Sequence, residues 1–275
     1  MPDSSVPDST AVDPIATFIA ATRAALAMSG LTRHEEDGRV WFSGGKGDET
    51  IVLIHGVNDQ AGTWAAVVPA LAAKYRLVIP DLAGHGESAP LDGPIDLMRV
   101  VDDLSAIIDR ETGGKVTLVG NSMGGWMSML YALRHPERVT QLALEDTGGM
   151  SWPMTVPLVA NTREQAAVMM RAVNGPADAT PEFVIDAFLA RANGSPMLRV
   201  MQTNIVTHMM DGRFGELRVP VKLIWGKDDG VLPLDYAEAL QKKIEGAELH
   251  VIDGAAHIPH RQQPERFIAC LTGTC

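Results

Sequence analysis

The sequence predicts an α/β protein with a doubly wound, mostly parallel sheet and a helical segment inserted between two of the later strands. Two observations predict the sheet. Short, continuous apolar runs recur at Thr50–Ile54, Leu77–Ile79, Val116–Val119, Val139–Leu144, Val221–Trp225 and Glu248–Ile252, as strands covered on both faces require. Amphipathic helical patterns lie between them, and such alternation builds a parallel sheet. The insertion is predicted by a third observation: between Gly148 and Glu216 helix starts occur but no strand pattern does.

The elements follow in order. Residues 1–12, rich in Ser, Asp and Pro, read as a tail. Asp13-Pro14 then offers an N-cap carboxylate before a proline, and Gly30 a stop, so an extra N-terminal helix is expected over 13–30. Ile15, Phe18, Ile19 and Leu26 fall on one side of it. That stripe must be covered by the body, by the rim of a pocket or by a second copy, which makes a homodimer an expectation. Thr32–Ser43 reads as a hairpin turning at Asp37-Gly38. Trp64, Val67, Val68 and Leu71 predict one helix, Val100, Leu104 and Ile107 after Asp96 a second, and the stretch from Ser122 to His135-Pro136 a third.

Within the insertion, Thr162 with Gln165 forms a capping-box pattern, and Thr180-Pro181 and Ser195-Pro196 each pair an N-cap with a proline. Asn174-Gly175, Asn193-Gly194 and Gly212 supply stops. The organisation expected is a core of residues 13–147 and 217–275 with a helical cap at 148–216.

Composition narrows the function classes. The 275 residues carry 23 basic against 34 acidic side chains, a net charge of −11, which repels a phosphate backbone and argues against nucleic acid as partner. The apolar stretch Ile15–Met28 is interrupted by Arg23 and too short to span a bilayer. Cys270 and Cys275 are the only cysteines, show no disulfide framework and read as free thiols. The start of the chain lacks a basic secretory leader. A cytoplasmic protein acting on a small molecule, with no membrane partner, is expected. No dinucleotide glycine fingerprint and no metal-spaced His/Cys run occurs, so neither cofactor nor metal is expected.

Gly120-Asn121-Ser122-Met123-Gly124 fits the pattern G-x-S-x-G. The pentapeptide alone is weak, but here a buried strand precedes it and a helix follows. A sharp strand-to-helix turn needs small neighbours and aims its serine at the N–H groups of a helix start. Serine needs a base within hydrogen-bond reach. Of eight histidines, His257 follows the last strand and lies at the sheet edge where Ser122 points. His260 is the rival, expected to face solvent from the first turn of the next helix.

These motifs resemble the α/β-hydrolase family over nearly the whole chain beyond the first thirty or so residues. Ile51–Gly56 is similar to the strand entering the oxyanion loop, Asp81–Ser88 to the following turn, then come the elbow, Trp225–Pro233 and Ala256-His257. The resemblance implies a serine hydrolase with Ser122 as nucleophile and His257 as base. In G-x-x-D-x-x-x-P the acid lies four residues before the proline, which selects Asp229, with Asp228 facing solvent; Asp146, after the preceding strand, is the alternative. The oxyanion donors implied are the backbone N–H groups of Met123 and Val57, and the Val57 side chain disfavours bulky tertiary-alcohol esters. His55 and His85 are expected to shape loops.

Eight of the 14 methionines fall in the insertion, and with Trp152 and several phenylalanines they suggest a deformable apolar pocket. Met150, Trp152 and Ile258 are the substrate-contacting residues expected. One of Arg163, Arg171, Arg191, Arg199 and Arg213, turned inward, would hold a substrate carboxylate. The activity implied is carboxylesterase-like, through an acyl-enzyme. The alternatives are carbon–carbon cleavage of the meta-cleavage type, perhydrolase or haloperoxidase chemistry, and a hydrolase-fold ligand receptor. Meta-cleavage hydrolases tend to carry tryptophan where this chain has Ile258. Dehalogenase and epoxide-hydrolase chemistry is disfavoured because Ser122 stands where those relatives have aspartate.

Overall fold

The computed structural model describes residues 13–275, so the tail expected at 1–12 lies outside the described residues. Eight strands form one sheet: β1 (Thr32–Glu36), β2 (Arg39–Gly45), β3 (Thr50–Ile54), β4 (Arg76–Pro80), β5 (Val116–Asn121), β6 (Val139–Glu145), β7 (Val221–Gly226) and β8 (Glu248–Ile252). Their order is β1-β2-β4-β3-β5-β6-β7-β8. The β1–β2 and β2–β4 pairings are antiparallel, and the β3–β4, β3–β5, β5–β6, β6–β7 and β7–β8 pairings are parallel. The strand order reverses between β3 and β5, and in an open α/β sheet a ligand site forms beyond the carboxyl ends of the strands at such a point.

Alternation along the strands explains the two apolar layers. Val52, Ile54 and Leu118 face one side with Leu104, Tyr131 and Tyr236. Ile51, Leu53 and Val119 face the other with Leu26, Trp64 and Phe267. The predicted helices after Asp96 and Ser122 are α3 (Leu97–Glu111) and α4 (Met123–Arg134), and α8 (Leu234–Gln241), α9 (Pro259–Gln262) and α10 (Pro264–Thr272) complete the core.

The predicted helix around Trp64 is instead broken in two. A 3₁₀ turn, Ala61–Ala66, is followed by the short α2 (Val68–Ala72). Pro69 sits in the first turn of α2, where its missing N–H costs nothing; inside a continuous helix it would cost a hydrogen bond and clash with the carbonyl four residues back. The four apolar residues are all buried regardless.

The N-terminal helix α1 (Pro14–Met28) is capped as expected, with the Asp13 carboxylate accepting from Ile15 and Ala16 N–H. Its stripe lies partly on the body: Leu26 is fully buried, whereas Phe18 stays on the surface beneath the Arg261 guanidinium, 4.9 Å from the ring centroid. Arg23 reaches inward to the buried Asp81. Among the described residues no helix is long and apolar enough to cross a membrane, and no disulfide joins Cys270 to Cys275.

Between β6 and β7 stand α5 (Arg163–Asn174), α6 (Glu182–Ala190) and α7 (Pro196–Met201). Thr162 and Ser195 cap α5 and α7 as predicted. The cap predicted for α6 is wrong: its first residue is Glu182, and Thr180 donates to Asp178 two residues back instead. The local side-chain bond competes for the hydroxyl. Ala160, Ala166 and Ile185, with Met169 and Phe188 against them, make a small separate core for this segment.

Arg199 of α7 is 6% exposed and clamps the insertion to the body. Its guanidinium donates to the carbonyls of Gly84, Pro90, Asp92 and Gly93 at 2.6–3.0 Å. Replacement by methionine keeps the volume but leaves four carbonyls without donors. We expect Arg199→Met to lower unfolding free energy by about 3 kcal/mol, measurable by urea denaturation; an unchanged midpoint would show that the clamp carries no stability.

Candidate active site

Ser122 stands at the apex between β5 and α4 with φ 52 and ψ −116, a left-handed conformation that a non-glycine residue holds only when its surroundings enforce it. They do so through the backbone. Ser122 N–H donates to Glu145 O at 2.9 Å, and the Ser122 carbonyl accepts from Gly125 and Gly148. The motif glycines are required by contact: a Cβ on Gly120 would lie 2.5 Å from the Gly124 backbone, and one on Gly124 would lie 2.3 Å from the Ile54 carbonyl.

His257 comes from the loop after β8. Its Nδ1 lies 2.8 Å from Asp229 Oδ2. The other carboxylate oxygen of Asp229 accepts from Val231 and Leu232 N–H at 2.7 and 3.0 Å, so the acid is fixed before it meets the ring. Asn121, beside the serine, donates its amide to the His257 carbonyl at 2.9 Å. That bond ties the elbow to the histidine loop. His257 N–H donates to Val173 O of α5 at 3.1 Å, which links the same loop to the insertion. Asp228 is exposed, as expected.

Electrostatics follow from this enclosure. Burial alone would lower the His257 pKa, but the charge and hydrogen bond of Asp229, joined by the charge of Glu145, outweigh it and leave it raised above the ordinary 6.5. A base must be neutral to accept a proton. Any reaction that uses His257 as its base is therefore expected to accelerate with pH along a limb whose apparent pKa exceeds 6.5, as a pH–rate profile measures; a limb below that value would contradict the assignment.

Asp146 is close by but differs in kind. It is fully buried with φ 43, and its Oδ1 accepts from Gly226 N–H at 3.0 Å while Oδ2 receives no donor. Burial, then the charges of Asp229 and Glu145, push its pKa well above the usual carboxylate range. Asp229, and not Asp146, bonds the imidazole.

The expectation that His260 faces solvent is overturned. His260 is fully buried, its N–H and Nδ1 bonding the two carboxylate oxygens of Glu145 at 2.7 and 2.8 Å, its Nε2 3.0 Å from Thr63 Oγ1. Its ring lies against Trp64, centroids 4.1 Å apart. This Thr–His–Glu chain is closed to solvent and props the turn that presents His257. His260→Ala would leave Glu145 Oε2 and Thr63 Oγ1 without the ring, while the backbone N–H still bonds Glu145 Oε1, and we expect a loss of about 1–3 kcal/mol of stability in calorimetry or denaturant unfolding. Retention of wild-type stability would refute the role.

The two oxyanion candidates are the backbone N–H groups of Met123 and Val57. Met123 is the first residue of α4, so its N–H has no intrahelical acceptor. Val57 follows Gly56, on which a Cβ would come within 3.2 Å of Ser122 Cβ. His55 and His85 shape loops as expected: His55 Nδ1 bonds Gly56 O and its Nε2 accepts from Leu82 N–H, and burial holds His85 at a pKa of about 3.

The residues expected to contact substrate do not line the cavity between α1 and the insertion. A cavity of about 480 Å³ lies between α1 and the insertion, lined among others by Ile15, Asn58, Leu158, Val159, Met169 and Phe188. Met150, Trp152 and Ile258 are not among its lining residues. Met150 packs in the main core and Ile258 is 6% exposed, while Trp152 meets Tyr236 edge-on. Of the insertion methionines, Met210 is also buried in the main core and Met154 and Met201 are exposed. The cap arginines are engaged as well: Arg199 by carbonyls, Arg163 by Glu182 and Asp186, Arg191 by Asp13 and Arg213 by Glu216, while Arg171 is exposed.

A mostly parallel sheet that presents a serine on a strained strand-to-helix turn, with a carboxylate-bound histidine on a loop tied to that turn through Asn121, has the layout of an α/β hydrolase. The profile of the Alpha/beta hydrolase family matches residues 51–269, and the chain belongs to that family. A 2-hydroxy-6-oxononadienedioate/2-hydroxy-6-oxononatrienedioate hydrolase of Paraburkholderia xenovorans is 29% identical over 260 residues, 85% of this chain and 90% of the relative. The same fold occurs in a bacterial membrane phospholipase A (TM-score 0.79, 24% identity, covering 94% of this chain and 92% of that one). It occurs also in a 2-hydroxy-6-oxo-6-phenylhexa-2,4-dienoate hydrolase from a Rhodococcus species (TM-score 0.74, 22% identity, covering 89% and 97%).

Proposed function

We propose that this hydrolase cleaves small, mainly apolar carboxylic esters through an acyl-enzyme on Ser122. The observation that carries the reading is the Asp229–His257 bond, joined through Asn121 to the elbow that bears the serine. His257 takes the serine proton as Ser122 attacks the carbonyl, the N–H groups of Met123 and Val57 receive the oxyanion, and His257 returns the proton to the leaving alcohol. Water then repeats the sequence on the acyl group. The cavity beside Asn58 is the natural seat for the acyl chain, being apolar on most of its wall.

Carbon–carbon cleavage is the second reading, favoured by the relative from Paraburkholderia xenovorans. A dioate carries two carboxylates; of the cap arginines Arg191 lines the cavity, and its guanidinium is paired with Asp13, which speaks for the ester. A panel of aryl esters of graded acyl length, with 2-hydroxy-6-oxo-dienoates alongside, separates the readings. Medium-length acyl groups should exceed acetate, each added methylene raising kcat/KM up to about fourfold until the cavity is full. Faster turnover of a dienoate than of any ester would overturn the preference.

A further inference from the structure

We propose that His250, Cys270 and Cys275 form a zinc site that staples the turn after α10 to the edge strand of the sheet. One ligand atom from each lies within 4.8 Å of the others, and Cys275 Sγ is 3.2 Å from His250 Nδ1. Around a tetrahedral zinc ion, sulfur and nitrogen ligands stand roughly 3.5–3.8 Å apart, so small side-chain shifts complete the geometry.

The fold builds this convergence. Helix α10 ends at Gly273 in the left-handed conformation, φ 75, a backbone state that glycine adopts without strain. Thr274 N–H then donates to Ala269 O at 2.8 Å, and the chain doubles back. This returns Cys275 to the side of Cys270. Lys222 Nζ donates to the carbonyls of Cys270 and Leu271, each at 3.2 Å, which pins the helix end to β7. His250 comes from β8, the outermost strand. The linear spacing conceals the group, because twenty residues separate His250 from Cys270.

A second observation points to a metal and away from a disulfide. His250 Nε2 is buried without a hydrogen bond, and the nearest carboxylate, Glu248 Oε2, lies 3.5 Å away. A metal-bound imidazole donates its remaining N–H to such a carboxylate. A disulfide would account for the two sulfurs but for neither the imidazole nor Glu248. Two thiolates and an imidazole select a borderline-soft cation such as Zn²⁺ over Mg²⁺ or Ca²⁺, with water in the fourth position. Clamping the turn there would also cover an exposed sheet edge.

The test uses the full chain without an affinity tag, reduced and stripped by chelator, then titrated with Zn²⁺ by calorimetry and with Co²⁺ by absorption. One equivalent should bind, Co²⁺ should show a thiolate charge-transfer band, and Zn²⁺ should raise Tm. Cys275→Ser and His250→Ala should each weaken Zn²⁺ binding at least about a hundredfold, and Glu248→Gln about tenfold, with ester turnover unchanged. Cys275 is exposed, so Cys275→Ser should leave the Tm of the stripped protein where it was. Several outcomes would overturn the proposal. These are no stoichiometric binding, undiminished affinity in Cys275→Ser, a cobalt spectrum without thiolate character, or a Cys270–Cys275 disulfide that re-forms in excess Zn²⁺.

Discussion

Ser122→Ala is expected to lower kcat by about a millionfold while leaving the fold intact. The magnitude follows from the way a nucleophile and its base act as a unit: without the oxygen, His257 has no proton to take and the remaining groups only bind substrate. Retention of the fold follows from the backbone. Alanine and serine bear the same penalty at φ 52, and the bonds that enforce that angle, from Ser122 N–H to Glu145 O and from Gly125 and Gly148 to Ser122 O, involve no side-chain atom of the serine. Thermal unfolding should therefore coincide with wild type. A serine-directed phosphonate should label the wild-type protein at Ser122 and nowhere else. A variant that keeps more than about a tenth of its activity would remove Ser122 from the mechanism.

What could be read in the sequence was whatever a short segment determines by itself. The buried strands announce themselves as apolar runs because both faces of each are covered, and the elbow does so because contact distances exclude any side chain at Gly120 and Gly124. Asp229 was found by its count from Pro233, since the turn that carries it is local. Pro69 also marked its break locally, but the apolar spacing of Trp64 to Leu71 masked it. The failures are of another kind. The burial of His260 depends on Glu145, 115 residues earlier, and on Thr63, 197 residues away. Arg199 spends its donors on carbonyls more than a hundred residues distant. Such partners are chosen by topology, and no window of sequence contains both.

The same division explains why the cavity wall was not legible in the sequence. Met150 and Ile258 were expected to touch substrate, and both are buried, as is His257 itself. The cavity wall comes instead from segments far apart in the chain, with Ile15 of α1 facing Met169 and Phe188 of the insertion. An apolar residue in the sequence announces that it will be covered, and only the fold says by what. The N-terminal helix thus acquires a place at the cavity that its own pattern could not assign.

Asp229→Asn is expected to slow turnover by about ten-thousandfold, and the contrast with Asp146→Asn makes the assignment testable. Asparagine at 229 presents an amide N–H₂ or a neutral oxygen to His257 Nδ1, so the imidazole loses the charge that holds it in the productive tautomer. It also loses the largest influence raising its pKa. Burial then dominates, and the acid limb of the residual activity should move to lower pH. Asp146 should behave oppositely. Its pKa is pushed well above the usual carboxylate range, and an amide can occupy its place, accepting from Gly226 N–H through oxygen without placing a charge in the buried site. Asparagine also tolerates a positive φ better than most residues. Asp146→Asn should accordingly keep activity within about tenfold of wild type, the scale of one rearranged hydrogen bond, whereas Asp146→Leu removes the acceptor of Gly226 N–H and should lose more. If Asp146→Asn were crippled and Asp229→Asn nearly normal, the carboxylate that serves the histidine would be Asp146, and the bond between Asp229 and the ring would have to be read as structural.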